Sequence, residues 1–206
     1  MDMLTDEAVE TRVLTHYRLV GAAMERHFAG TPMVFTNFFG GFSTRPYWHR
    51  TDLPFSQTKM LWLCHRMFAL EFYSWVPIPT DIDRLRFARI LLELPPSIDA
   101  LKAAALELRA LLAQHNLEAA PIYDGEGGMA LWIPLADAPR SEAVRTWLHS
   151  FCNQAVQARP DLFTIESNTH GTERVHLHVA SNAPGRCSAL PCSVRGRGGF
   201  EVSRYL

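Results

Sequence analysis

Two helices, each bracketed by strand-like runs, occupy the stretch from Arg84 to Ala180, and this alternation limits the folds open to the chain more than any other feature. Leu85 to Leu94 reads as a strand, broken by Pro95-Pro96. Ser97 is placed to cap a helix in which Ile98, Leu101, Ala105, Leu108, Leu111 and Leu112 share one face, and Asn116 suits a left-handed stop. Glu118 to Tyr123 and Met129 to Pro134 are two short strand-like runs around the turn Asp124-Gly125-Glu126-Gly127-Gly128. Ser141 is placed to cap a second helix burying Val144, Trp147, Leu148, Phe151, Ala155 and Val156. Arg174 to Ala180 then alternates, with Val175, Leu177 and Val179 on one face and Arg174, His176 and His178 on the other. Helices covering one face of a mostly antiparallel sheet predict an α+β sandwich.

The N-terminal part reads as a smaller lobe. Thr5 caps a helix carrying Val9, Val13, Leu14, Tyr17, Val20, Met24 and Phe28, with Gly21 as a weak point inside it and Gly30 at its end. Met33 to Phe39 is strand-like and closes on Gly40-Gly41. Ser56 caps a further helix with Met60, Leu61, Cys64, Met67 and Phe68 inward, and Leu70 to Val76 is a strand ended by Pro77 and Pro79. A last strand is expected over Ala189 to Arg195. The predicted organisation is a helix/strand lobe over 1–80 and a second lobe over 81–206, forming one compact unit.

Charge narrows the function classes. The chain has 206 residues and a formal net charge of -1, which excludes a protein that holds DNA by bulk charge alone. The basic residues are local: Arg186, Arg195, Arg197 and Arg204 fall in one stretch with a single acid, Glu201. No apolar run reaches membrane-spanning length, and the first ten residues carry acids rather than a basic-then-apolar leader. Four scattered cysteines then read as reduced thiols, and a cytoplasmic place is expected, nucleoid-associated if DNA is bound.

Six stretches resemble one family in order. Tyr17-Arg18 through His27-Phe28-Ala29-Gly30-Thr31-Pro32 is similar to an opening helix and its "GRP" entry into a strand; Tyr47-Trp48-His49-Arg50 falls on an "FFQK" stretch. Leu61-Trp62-Leu63 with Ala69-Leu70-Glu71-Phe72-Tyr73-Ser74-Trp75 resembles "LWLAN…AIELHPW", and Asp83-Arg84-Leu85-Arg86-Phe87 resembles "PDRLVF". Tyr123 to Ala130 falls on "TSGSKGLH", and Ser181 to Arg186 with Pro191 to Arg197 resembles "QNARGKT…PYSVRAR". The chain therefore resembles the polymerase module of bacterial ATP-dependent ligase D, in the archaeo-eukaryotic primase superfamily. That resemblance implies a primase–polymerase fold with an RRM-like core of two β-α-β passes, and a role in DNA repair by non-homologous end joining. The family continues beyond the arginine stretch, so a missing terminal subdomain is expected.

The implied chemistry is nucleotidyl transfer with two divalent metals, which want carboxylate oxygens. The resemblance implies an Asp-x-Asp pair, a third Asp and a Ser-x-His turn. Without a gap the pair falls on Ala88 and Ile90; with a gap it falls on Glu93 and Pro95. The third aspartate falls on His178, the turn histidine on Ala130, and Asp124 replaces the turn serine. Asp81-Ile82-Asp83 is a literal Asp-x-Asp at the wrong end of the strand and reads as a turn. The expected result is a degenerate active site.

The remaining candidates form three groups. Asp124, Gly125, Gly127, Gly128, Ser193, Arg195 and Arg197 are expected to bind a nucleotide, against simple hairpin and salt-bridge roles in which Asp124 could partner Arg195. Arg45, Trp48, His49 and Arg50 are expected at a DNA 5′-phosphate, with Trp48 as a base-stacking residue, against a solvated loop. His176 and His178 could hold a soft metal such as zinc with Cys187 or Cys192, against two histidines packed on a sheet face. No cofactor is expected; magnesium or manganese is needed if the enzyme persists. Expected partners are DNA ends, nucleotides, and ligase or end-binding repair proteins, without a membrane. Three functions follow: a silent relative retaining DNA-end or nucleotide binding, an active nucleotidyltransferase with relocated ligands, and a structural or regulatory module with no nucleic-acid role.

Overall fold

The computed structural model describes residues 6–37, 46–75, 77–78, 80–93, 97–124, 128–166, 174–184, 186–196 and 201–205. In chain order the elements are α1 (Asp6–Phe28), β1 (Pro32–Asn37), β2 (Tyr47–Pro54), α2 (Gln57–Met67), β3 (Glu71–Trp75), β4 (Pro77–Ile78), β5 (Asp81–Leu85), β6 (Phe87–Glu93) and α3 (Ile98–Gln114). They continue as β7 (Ala120–Tyr123), β8 (Met129–Pro134), α4 (Ser141–Ala158), β9 (Phe163–Thr164), β10 (Val175–His178), a 3-10 turn (Ala180–Asn182), β11 (Cys187–Ala189), β12 (Val194–Arg195), β13 (Glu201–Val202) and β14 (Arg204–Tyr205). No helix among the described residues is long and apolar enough to cross a membrane.

The chain divides into two compact units. The first unit contains residues 1–75 and 187–203, the second residues 76–186 and 204–206. The expected assignment of 187–203 to the second lobe differs from this division, because β11 pairs with β3 of the first unit and Leu190 N donates to Phe72 O.

In the first unit an antiparallel sheet runs in the order β11-β3-β1-β2. Val13, Tyr17, Met24 and Phe28 of α1 are buried at helical spacing. Gly21 has a packing reason: a Cβ there would lie 2.7 Å from the Gln57 side chain and 2.9 Å from that of Met60, so the glycine lets α1 and α2 approach. Ser56 caps α2 by accepting from Lys59 N. The inward face of α2 is Met60, Leu63 and Cys64, whereas Met67 and Phe68 are exposed, because the helix ends at Phe68 in a left-handed conformation (φ 51°). The expected strand over Ala189 to Arg195 is two strands, β11 and β12, separated by a turn in which Cys192 has φ 67°.

In the second unit the order is β14-β7-β8-β6-β10-β9. The unit β6-α3-β7-β8-α4-β10 places its four longer strands side by side as β7-β8-β6-β10, the arrangement of two interlocked β-α-β passes. Ala88, Ile90 and Leu92 of β6, Leu131 and Ile133 of β8, and Val175 and Leu177 of β10 turn to the helices and form one core with Leu101, Leu108, Leu148 and Phe151. Ser97 caps α3 by accepting from Ala100 N, and Asn116 has φ 58°. Ser141 is the first helical residue rather than the cap of α4; the cap is Arg140, with no side-chain bond.

Candidate functional site

Each unit presents its own candidate surface. In the second unit it is the sheet face opposite α3 and α4. Strand alternation places Arg89, Leu91 and Glu93 of β6 on that face, with His176 and His178 of β10 alongside. His176 lies directly opposite Glu93 in the register. Its Nδ1 is 3.3 Å from one Glu93 oxygen, and the Nδ1 of His178 is 3.5 Å from the other. Ala88 and Ile90 are not on this face: both are buried in the core beneath the helices. Odd and even positions of a strand point to opposite sides, so of Ala88, Ile90 and Glu93 it is Glu93 that shares a face with His178. Ala130 pairs with Leu91 and is buried.

Arg89 escaped the sequence reading. It is 1% exposed, its guanidinium carbon lies 5.3 Å from the centre of the Trp132 ring, and Nη2 donates to Ser181 O. Asn182 holds the same residue by its main chain: its side-chain oxygen accepts from Arg89 N, and its amide donates to Arg89 O and Val179 O. Thus Asn182 continues the ladder beyond the end of β10. An arginine inside the strand-like run Leu85–Leu94 was the available signal, because a charge there must lie off the core face.

The turn after β7 is a hairpin device. Asp124 N donates to Gly128 O, and the Asp124 carboxylate accepts from Gly128 N. A Cβ at Gly128 would run into that carboxylate. Asp124 therefore closes the connection between β7 and β8; Gly125 and Gly127 lie outside the described residues. Asp81 plays a similar part, accepting from Asp83 N and pairing with Arg84 at 3.4 Å.

In the first unit the candidates sit on the sheet face turned away from α1 and α2. Pairing of Thr36 with Trp48 and Glu71, and of Val34 with Arg50 and Tyr73, sets these residues on one face. Trp48 is 55% exposed and lies 4.5 Å from the Tyr73 ring, and Arg50 is also exposed. His49 is on the other face, stacked on Phe35 at 4.8 Å and bonded to the Asn37 side chain at 3.2 Å. Of the residues expected at a 5′-phosphate, Trp48 and Arg50 thus share one face and His49 lies on the other, because consecutive strand residues alternate. Arg45 and Arg197 lie outside the described residues.

Arg195 is 8% exposed and is held by three groups of its own unit. Its Nη1 donates to Tyr73 O–H at 3.0 Å, its guanidinium carbon lies 5.4 Å from the Tyr73 ring centre, and its Nε is 3.9 Å from Glu71. The carboxylate beside it is thus Glu71. Ser193 is buried and structural: its hydroxyl accepts from Phe72 N and donates to Val194 O. Tyr17 pins the same segment, donating to Leu70 O and accepting from Val194 N; burial raises its phenol well above its ordinary value.

These side chains do not fit a pair of hard divalent cations. Such a pair is bridged by several carboxylate oxygens, whereas among the described residues the β6–β10 pair offers the Glu93 carboxylate between two imidazoles. Pro95, the second position in the gapped placement, has no side-chain donor. Among the described residues no group of three His, Cys, Asp or Glu is arranged to hold a metal ion. Cys187 and Cys192, expected near the histidines, belong to the first unit while the histidines belong to the second.

Comparison with known proteins places the chain. The family model described as LigD, primase-polymerase domain, matches residues 49–205. The bifunctional non-homologous end joining protein LigD of Bacillus subtilis is 35% identical over 147 residues, covering 68% of this chain and 23% of that protein. The multifunctional non-homologous end joining protein LigD of Mycolicibacterium smegmatis is 26% identical over 220 aligned positions, covering 91% of this chain and 28% of its own length. The chain spans about a quarter of the length of these curated relatives. The polymerase domain of Mycobacterium tuberculosis ligase D, solved in complex with DNA, matches with a TM-score of 0.82 at 20% identity, covering 96% of this chain and 80% of that one; at this identity the match establishes the fold.

Proposed function

Because this chain belongs to the LigD primase-polymerase domain family, we propose that it is a polymerase-silent member that retains binding of DNA ends or nucleotides and acts in end-joining repair. One observation carries the reading: among the described residues Glu93 is the carboxylate that lies against His176 and His178, while Ala88 and Ile90 face the core. Two-metal nucleotidyl transfer needs both attacking and leaving oxygens clamped by cations, and this donor set supplies no cage for two. Binding needs less. Trp48 and Arg50 offer an exposed ring and a cation on one sheet face, and Arg195 offers a guanidinium from the same unit. A cytoplasmic, nucleoid-associated place and association with a ligase or an end-binding protein follow from this reading.

Fluorescence anisotropy with a 5′-phosphorylated duplex tests it. The expected result is binding that weakens as salt rises and drops on W48A or R50A; the same affinity as for a free dinucleotide, without salt dependence, rejects it. The placement of Glu93 beside His178 favours a second reading, an active nucleotidyltransferase with relocated ligands. Manganese-dependent primer extension would establish that reading in place of the first. A monomer with neither nucleic-acid affinity nor partner would leave none of the three functions standing.

A further inference from the structure

The solvent side of the helix pair in the first unit carries cations and two large apolar side chains. The helices run antiparallel: Glu25 near the end of α1 accepts from Gln57 N at the start of α2, and Glu10 near the start of α1 lies 3.0 Å from His65 near the end of α2. On α1, Thr15, Arg18, Leu19, Ala22 and Arg26 recur at i, i+3, i+4, i+7 and i+11 and are all exposed, opposite the buried Val13, Tyr17, Met24 and Phe28. On α2, Thr58, Trp62, His65 and Arg66 recur at i, i+4, i+7 and i+8 and are exposed, opposite the buried Met60, Leu63 and Cys64. Neither strip contains a carboxylate. The acids of this pair whose side chains are described, Glu10 and Glu25, are turned to the seam between the helices, where His65 and Gln57 N hold them. Leu19 is 78% exposed and Trp62 54%. One exposed apolar residue is ordinary on a protein surface. A leucine and a tryptophan set among Arg18, Arg26 and Arg66, with the described acids withdrawn from them, have the make-up of an interface centre, where aromatic and arginine anchors concentrate.

We propose that the outer face of α1 and α2 docks an acidic, amphipathic segment of a partner protein, with Leu19 and Trp62 taking its apolar side chains and Arg18, Arg26 and Arg66 its carboxylates. Charge complementarity sets the sign of the partner: a face with three arginines and no carboxylate favours an anion and repels a basic segment. The apolar content sets its class. Leu19 and Ala22 give a phosphodiester backbone nothing to bind, whereas leucine or phenylalanine side chains of a protein segment bury against them. This face is the helix side of the first unit, and Trp48 and Arg50 lie on its opposite, sheet side, so the partner and a DNA end do not compete for one surface. The inference rests on the partner part of the proposed function and gives that partner a surface and a chemistry.

Fluorescence anisotropy of the full chain with a labelled helical peptide of about 18 residues, leucine at i, i+3, i+4 and i+7 and glutamate elsewhere, tests the proposal. A polyglutamate peptide of the same length and a single-stranded oligodeoxyadenylate are the comparison probes. The wild type is expected to bind the amphipathic peptide about tenfold more tightly than polyglutamate, and more weakly as salt rises. R18E/R66E should weaken the peptide by about tenfold or more, and W62A by about tenfold, the loss of one central anchor. R18Q/R66Q, which removes the charges without reversing them, should lose several-fold and serves as the test if R18E/R66E does not fold. Affinity for a 5′-phosphorylated duplex should stay unchanged in all of these variants. No peptide binding by the wild type, polyglutamate bound as tightly as the amphipathic peptide, or peptide affinity indifferent to the charge variants would overturn the docking face. Oligodeoxyadenylate bound more tightly than the peptide and lost in the same variants would overturn it in favour of a nucleic-acid surface. Peptide binding without any duplex binding would sink the DNA-end reading and leave the docking face standing.

Discussion

At the scale of single residues, side-chain identity was readable but facing was not. The sequence marks His176 and His178 as a pair, and the structure keeps them on one face. It also marks Ala88, Ile90 and Glu93 as rival positions, and only pairing register decides among them: Glu93 opposes His176, and the other two lie under the helices. His49 turns away from Trp48 and Arg50 for the same reason. Asn182 shows what identity alone conceals. Its side chain makes three buried bonds to main-chain groups at Arg89 and Val179, so N182A should destabilise the second unit by about 2–4 kcal/mol, from the lost bonds and the unsatisfied groups left behind. Urea denaturation of N182A checks this; a loss below about 0.5 kcal/mol would mean water replaces the amide.

At the scale of elements, apolar periodicity recovered the helices and the central strands. The helix over 98–114, its Ser97 cap and its Asn116 stop were all legible because local chemistry dictates them. S97A should cost about 1 kcal/mol, and L108A, which empties a position in the shared core, about 2–5 kcal/mol, both measured as shifts in the denaturation midpoint. An L108A effect below that of S97A would contradict the placement of Leu108 in the core. Strand β2 was not legible. Tyr47 to Pro54 is mostly exposed, lies at an edge of its sheet and carries no alternation, so only its pairing with β1 defines it. The split between β11 and β12 was missed because the left-handed residue at the turn is Cys192 rather than glycine.

At the scale of the whole molecule, the family resemblance recovered the fold, while the course of the last segment had to come from the structure. Residues 187–203 return to the first unit, a long-range pairing that no local pattern encodes. Both units bury thiols: burial pushes Cys152 up to about 12 and Cys64 well above its ordinary value, and Tyr17 is raised likewise. The folded chain thus keeps protons that the unfolded chain releases above about pH 8.5 for a thiol and about pH 10 for a phenol. Native protein then binds more protons than unfolded protein, so stability falls as pH rises through that range. Thermal melts should be flat between about pH 7 and 8 and drop steadily toward about pH 10.5; a flat profile to that pH would contradict the burial of these groups. The central claim, a LigD polymerase fold without the carboxylate cage for two metals, meets its most direct test in primer extension by the purified chain on a templated DNA end with all four nucleotides, in magnesium and then in manganese. The account predicts no extended primer in either metal, and template-dependent extension abolished by E93Q would contradict it.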